Sequence, residues 1–440
     1  MLHRRDLLAG ALAAASARPL LADVIRRFSL GERPWLAAAR QAERWIRRSR
    51  ITSGSGVVWP ADPAKPDSVS RELYNGVAGV VLFYLELHHI TGDAVFLKEA
   101  ELGARFLIDE PADSPSGLYT GLAGSAFVLE QVARQGGHAD FRKAAGRANT
   151  ALVERSKGAG NGVEWNDTTD IIAGGAGIGL TLLWLEPTVG GAAARDLAIR
   201  AGRRLLELGQ PAGGGLTWMM TPTFPRNMPN FSHGTAGVAY FLARLHAMTG
   251  DAAFLEGARA GARYLQAIAV PKSDGVVVRH HDGDGAELFY LSWCHGPAGT
   301  ARLFHQLASV DQSFRPRVDQ LARGIPAMGV PARSPGFWNN ISQCCGNAGV
   351  IQFALDRAGA GQDRQALDYA RRVTTDLMQR ATADGDGLKW VQAEHRVQPA
   401  NLVAQTGFMQ GAAGVGTVLL HLDAAERNSG WAITFPDSPF

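Results

Sequence analysis

Three cysteines stand in this 440-residue chain, Cys294, Cys344 and Cys345. Cys294 lies in Trp293-Cys294-His295-Gly296, and the other two lie in Gln343-Cys344-Cys345-Gly346. Each sits just before a glycine of the same local pattern. Thiolates are soft ligands that suit zinc, and three protein ligands with a fourth position left free is the arrangement of a catalytic zinc site. Two other readings apply to the same residues. A free cysteine can be a small buried hydrophobe. In an exported protein, Cys294 could instead join Cys344 or Cys345 in a disulfide, which would leave one thiol over. The convergence of every cysteine on two matching segments favours Zn2+ as cofactor.

Such a site needs elements that bring residues 50 apart together. A glycine, two small or neutral residues, a second glycine and then an apolar helical run recur seven times. The first glycines are Gly76, Gly121, Gly174, Gly234, Gly296, Gly346 and Gly411. Their spacings of 45, 53, 60, 62, 50 and 65 residues leave room for two helices each time. A second signal has the same register: Thr91–Leu107 and Thr249–Leu265 agree at 11 of 17 positions with an offset of 158, the offset between Gly76 and Gly234. Repeats of this length mean stacked supersecondary units. Runs after the glycines, such as Val80–Leu87 and Val238–Leu245, are apolar on most faces, as expected of covered helices. Asp93–Leu107 and Asp196–Leu208 are amphipathic, and Asp93 and Asp251 stand at N-cap positions. Strand patterning is confined to one hairpin around Gly275–His281. The pattern predicts an all-α fold: a double-layered α/α toroid of seven helix pairs, with the cysteine segments of consecutive units side by side at one rim.

The glycine pattern, together with Trp293-Cys294-His295-Gly296 and Cys344-Cys345-Gly346, resembles the lanthionine synthetase C-like family over roughly Pro34 to Leu422. That resemblance implies a double ring of helices with zinc held by two cysteines and a histidine. Cys294 and Cys344 match the cysteines, and Cys345 stands in place of the histidine, a variation found in some lanthionine-forming members. It further implies that His233, in Asn230-Phe231-Ser232-His233-Gly234, is the active-site histidine and that Asp170 is the catalytic aspartate. The implied reaction adds a thiol to a dehydrated serine or threonine and forms a thioether. Its partner is a thiol-containing peptide or a small thiol such as glutathione. A histidine is suited to protonating the enolate that addition creates. Three thiolates leave a divalent zinc site net negative, which should make a bound thiol more electron-rich. His295, Tyr290 and Trp293 are expected to line the pocket. Tyr290 stands where family members often carry an arginine. The His280-His281-Asp282 cluster reads as an exposed turn.

Charge excludes other classes. Lys and Arg number 44 against 41 acidic residues, a formal net of +3, so nothing points to nucleic acid. No segment is long and apolar enough to span a membrane, and no feature specifies an oligomeric state. Residues 1–22 read as an export signal, Arg4-Arg5 before a short apolar run and the small residues Ala15-Ser16-Ala17. This resembles a twin-arginine leader and places the remaining domain, 23–440, in a bacterial periplasm, or in the cytoplasm if the start is misassigned. Two other functions stay open: a non-catalytic zinc or thiol-binding protein, and an exported carbohydrate-active toroid recruiting Glu72, Glu164 and Asp167.

Overall fold

The computed structural model describes residues 20–440 except 110, 112, 333–336, 339 and 362. Of the expected export segment, only residues 20–22 fall among those described, and they belong to helix α1 (Leu20–Phe28). Helix α2 (Pro34–Arg48) follows. Six helix pairs come next: α3 (Val77–Thr91) with α4 (Ala94–Ile108), α5 (Leu122–Gly136) with α6 (Ala139–Glu154), and α7 (Gly175–Leu185) with α8 (Gly191–Leu208). They continue with α9 (Thr235–Thr249) and α10 (Ala252–Ala267), α11 (Pro297–Ala308) and α12 (Arg315–Ala327), and α13 (Asn347–Gly361) and α14 (Arg364–Gln379). A last helix, α15 (Ala412–Glu426), has no partner after it and packs instead on α2. The seventh pair is thus made by the first long helix and the last one. Each odd-numbered helix from α3 to α15 touches the next, and α15 touches α3, so the inner ring is closed. The expected toroid of seven pairs is the observed fold.

Sequence explains the two layers. Inner helix α3 buries every residue from Val77 to Leu87, whereas outer helix α4 buries only one face, Phe96, Ala100, Gly103, Ala104 and Leu107 among it. The duplicated segments have duplicated ends. Asp93 Oδ1 accepts from Val95 N–H and Asp251 Oδ1 from Ala253 N–H, each capping an outer helix. Gly92 and Gly250 end the preceding inner helices at φ of 69° and 72°, a left-handed conformation that glycine adopts without steric cost.

The paired glycines of the repeat have a different purpose. A Cβ on Gly237 or Gly299 would lie well inside van der Waals contact distance of the carbonyl oxygen of Phe231 or Trp293, six residues earlier. Helix and rim loop can approach that closely only without a side chain.

Five hairpins follow outer helices, where the sequence suggested one. They are β1 (Ile51–Ser53) with β2 (Gly56–Val58), β3 (Lys157–Ala159) with β4 (Gly162–Glu164), β5 (Gln210–Ala212) with β6 (Gly215–Thr217), β7 (Val270–Lys272) with β8 (Gly275–Val277), and, beyond the short parallel pair β9 (Phe289–Tyr290) and β10 (Phe337–Trp338), β11 (Ala381–Asp384) with β12 (Gly387–Ala393). Most of these strands have three residues, too few to display an alternation. Trp165, Trp218 and Trp390 anchor three hairpins by donating Nε1–H to Leu152, Leu205 and Leu377 at 2.7, 2.6 and 3.0 Å. Only β12 is extended further, by pairing with β13 (Leu402–Ala404), which carries the intervening loop over one rim of the ring.

Residues 427–440 fill the lumen. Glu86 of α3 accepts from the N–H groups of Ala432 and Ile433. Phe435 packs on Phe127 of α5, Arg244 of α9 donates to Ser438 O, and Phe440 lies against His305 of α11 and Phe353 of α13. Among the described residues no helix is long and apolar enough to cross a membrane.

Candidate metal centre

Seven loops close one rim through a ring of backbone hydrogen bonds. Tyr74 N–H donates to Tyr119 O at 2.9 Å, Tyr119 to Ile172 at 2.9 Å, Ile171 to Ser232 at 3.2 Å and Ser232 to Cys294 at 2.9 Å. Cys294 then donates to Cys344 at 3.0 Å, Cys344 to Met409 at 3.0 Å, and Met409 back to Tyr74 at 2.7 Å. Apart from Ile171, each of these residues lies two positions before the first glycine of its unit. The repeat therefore sets Cys294 directly beside Cys344, 50 residues apart in sequence. The residues one position later, His233, His295, Cys345 and Gln410, line a cleft of about 280 Å³ together with Cys294, Cys344 and Tyr74.

The three sulfur atoms lie within 4.8 Å of one another, and all three cysteines are buried and unpaired by any disulfide. Cys294 Sγ is 3.3 Å from Cys345 Sγ, and Cys345 Sγ is 3.3 Å from Cys344 Sγ. Tetrahedral zinc with Zn–S bonds of about 2.3 Å sets its sulfurs about 3.8 Å apart. The donor set and its spacing fit such an ion with little movement. All three cysteines line the cleft. Burial pushes the Cys294 thiol up. At Cys344 burial also opposes ionisation, but contacts with Cys294, Cys345 and the Tyr74 hydroxyl outweigh it and hold this thiol well below its usual range.

His233 is fixed from the neighbouring unit. Its Nδ1 lies 2.6 Å from Asp170 Oδ2, and Asp170 is almost wholly buried. Asp170 Oδ1 accepts from Ala173 and Gly174 N–H at 2.8 and 2.9 Å, so the loop before α7 holds the carboxylate rigid. Burial works against charge on His233, but the hydrogen bond and charge of Asp170, and the charge of Cys344, raise its pKa above the usual 6.5. With Nδ1 engaged, Nε2 is the nitrogen left for the cleft.

The remaining expected residues divide. His295 and Tyr290 line the cleft, with ring centroids 5.7 Å apart. Trp293 does not: its indole turns into the lumen, where Nε1 donates to Asp437 Oδ2 at 3.1 Å. That buried N–H finds its acceptor only on the lumen side. The reading of His280-His281 as an exposed turn is also corrected. His280 lies in the cleft, 4.1 Å from the His295 ring and 4.4 Å from Tyr290, and His281 is buried. Burial foremost, then the charges of His281 and Arg396, push His280 down to about 3, so it is neutral. Three residues beyond the end of β8, it offered no periodic signal. The loop after β12 adds Glu394, His395, Arg396 and Val397 to the mouth, residues that no motif marks.

Residues suggested for carbohydrate chemistry do not converge. Glu164 pairs with Arg204 at 3.0 Å on the outer layer, and Asp167 is exposed. Glu72, raised by burial and by Glu394, is not part of the cleft wall. The described lining of the cleft has one carboxylate, Glu394.

Fold and site together define a helical double ring with a cysteine cluster at its rim. The chain belongs to the lanthionine synthetase C-like protein family, whose sequence profile matches residues 67–436. No curated protein matches the sequence. Among solved structures, nisin cyclase is similar at TM-score 0.64 and 16% identity, over 89% of this chain and 93% of that one. A GH76 α-mannanase from Bacteroides thetaiotaomicron is similar at TM-score 0.51 and 12% identity, over 91% of this chain and 98% of the other. At these identities both likenesses concern the fold alone.

Proposed function

We propose that this protein binds one Zn2+ through Cys294, Cys344 and Cys345 and catalyses addition of a thiol to a dehydrated serine or threonine, forming a thioether. One observation carries the reading: three mutually close sulfurs face the same cleft as an aspartate-bound histidine. Bound zinc would hold the substrate thiol at its open position and lower that thiol's pKa. The chain's own groups do the rest. The cleft walls, His280, Tyr290 and His295, exclude water from one side of the reacting carbon. As the S–Cβ bond forms, the C=C pair shifts toward the substrate carbonyl. His233, held by Asp170, gives the proton from Nε2 to Cα, and the proton lost by the thiol restores the imidazolium through solvent. Net, S–H adds across C=C and no oxidant is needed. Arg4-Arg5 and the apolar run behind it support action outside the cytoplasm.

Metal content and free-thiol counts of the purified full chain test this reading. One zinc per chain is expected for wild type. Cys345→Ala should lose affinity by more than about 100-fold, beyond the range typical of residues that only support a ligand. Wild type should then consume thiol in the presence of a dehydroalanine peptide. Absence of zinc, with two cysteines oxidised to a disulfide, would overturn the proposal. Zinc binding without thiol consumption would leave a thiol-binding protein in its place.

A further inference from the structure

Behind the cysteines, a run of side chains donates hydrogen bonds in one direction only. The backbone N–H of Ile341 donates to Gln392 Oε1 at 3.2 Å, which fixes the orientation of that amide. Gln392 Nε2 then donates to Gln410 O at 2.6 Å and to Gln410 Oε1 at 2.9 Å. With its oxygen engaged, Gln410 turns Nε2 to the Tyr74 hydroxyl oxygen at 2.8 Å. Tyr74 accepts there, and its own proton points at Cys344 Sγ, 3.1 Å away. Gln392 and Gln410 are both buried, so no solvent competes to reverse either amide. A backbone N–H at one end thus dictates an O–H donor at the other.

We propose that Tyr74 is a positioning residue that withdraws charge from one thiolate of the metal centre and so offsets the third cysteine. The inference rests on the zinc reading above and adds a role for residues outside the ligand set. A hydrogen bond donated to an ionised sulfur draws electron density from it. Three thiolates against a divalent ion give the site an excess negative charge, and among the described residues Cys344 alone receives a side-chain donor from outside the cluster. Supporting groups of this kind orient ligands and tune the metal they hold. Tyr74 lies at the repeat position that Cys294 and Cys344 occupy in their own units, two before the first glycine. One structural position therefore supplies two of the three ligands and the donor that moderates them.

The experiment uses the full chain with Co2+ in the zinc site, read by its sulfur-to-cobalt charge-transfer band. Two variants probe the direction of the chain. Tyr74→Phe removes the donor. Gln410→Glu keeps size and shape and, at a pH high enough to ionise the new carboxyl, presents only acceptors, so the Tyr74 proton turns to the carboxylate and away from Cys344. Both should move the band to longer wavelength, with one Co2+ per chain retained, because a sulfur without a donor gives up charge more easily. A purely packing role for Tyr74 predicts that Gln410→Glu leaves the band in place, and that result would overturn the inference. Bands of both variants superimposed on wild type would do the same while leaving the zinc reading intact. Failure of wild type to bind Co2+ or Zn2+ would remove both.

Discussion

Two buried polar clusters lie on either side of the rim loops, and they differ in how far their polar atoms are partnered. On the lumen side, Asp437 Oδ2 receives Tyr119 Oη at 3.1 Å, Trp293 Nε1 at 3.1 Å and the Arg302 guanidinium at 3.1 Å. Arg302 also donates to Asp437 O at 2.9 Å, while Asp437 Oδ1 has no partner among the described residues. On the cleft side, His280 and His295 are packed ring against ring, and the buried Nδ1 of each has no partner among the described residues. Burial of charge without partners is costly, so the lumen cluster has the signature of structure. Buried groups that lack partners are tolerated where a ligand supplies them, and the cleft has that signature. Adjacent residues of one loop serve both sides: Trp293 faces the lumen and Cys294 the cleft.

Breaking the lumen cluster gives the largest effect. Arg302→Met strands the Asp437 carboxylate in the lumen, and the expected loss is about 3–5 kcal/mol of stability. It should appear as a lower midpoint of urea unfolding in metal-loaded and metal-stripped protein alike. Adding Asp437→Asn should recover most of the loss, since the stranded charge is then gone. An equal loss from Cys294→Ala in stripped protein would erase the distinction between the two sides.

A smaller effect, confined to chemistry, is expected at Asp170. Because the folded pKa of His233 is raised above its usual 6.5, the imidazolium–carboxylate pair stabilises the fold fully below pH 6.5. That contribution is lost as pH rises through the folded value. Asp170→Asn removes the charge and leaves the backbone hydrogen bonds with an acceptor, so the ring's pKa falls. Thioether formation should drop by about 10²-fold with its optimum moved to lower pH. An NMR titration of His233 checks the direction; an unmoved pKa would mean that Asp170 only shapes the loop before α7.

How much of this was legible depends on whether a residue sat in the repeat. Cys294, Cys344, Cys345 and His233 all lie one or two positions before a repeat glycine, so periodicity announced their rim. Asp170 lies four before its glycine, and the family resemblance marked it. The backbone ring explains why that worked: a shared loop geometry converts a sequence register into a position in space. Trp293 was misplaced because register fixes the backbone but not the side of the loop that a side chain takes, and Asp437 decided that. His280 and Arg396 were missed because they come from connections outside the glycine pattern, where length and turn vary from unit to unit. Closure by α2 and α15 was hidden for a related reason, since no local signal pairs residues 34–48 with residues 412–426.

His280 supplies the finest test of the comparison. Its ring lies on His295 and against Tyr290, so its apolar body fills space, while its Nδ1 is desolvated and has no partner among the described residues. Phenylalanine keeps the stacked body and removes the nitrogen. If the nitrogen serves the fold, as Trp293 Nε1 does on the lumen side, its loss should cost about 1–3 kcal/mol. If it awaits a ligand, the substitution relieves a desolvated group, and stability should stay level or rise by about 1 kcal/mol. We expect the second outcome, with zinc content unchanged, the KM for a dehydrated peptide raised and kcat little altered. A midpoint of unfolding that falls for His280→Phe, with KM unmoved, would assign this histidine to the same structural class as the lumen cluster. Retention of both stability and KM would show that its nitrogen meets neither fold nor substrate, and the cleft would then lose His280 as a recognition group while keeping Cys294, Cys344, Cys345 and His233.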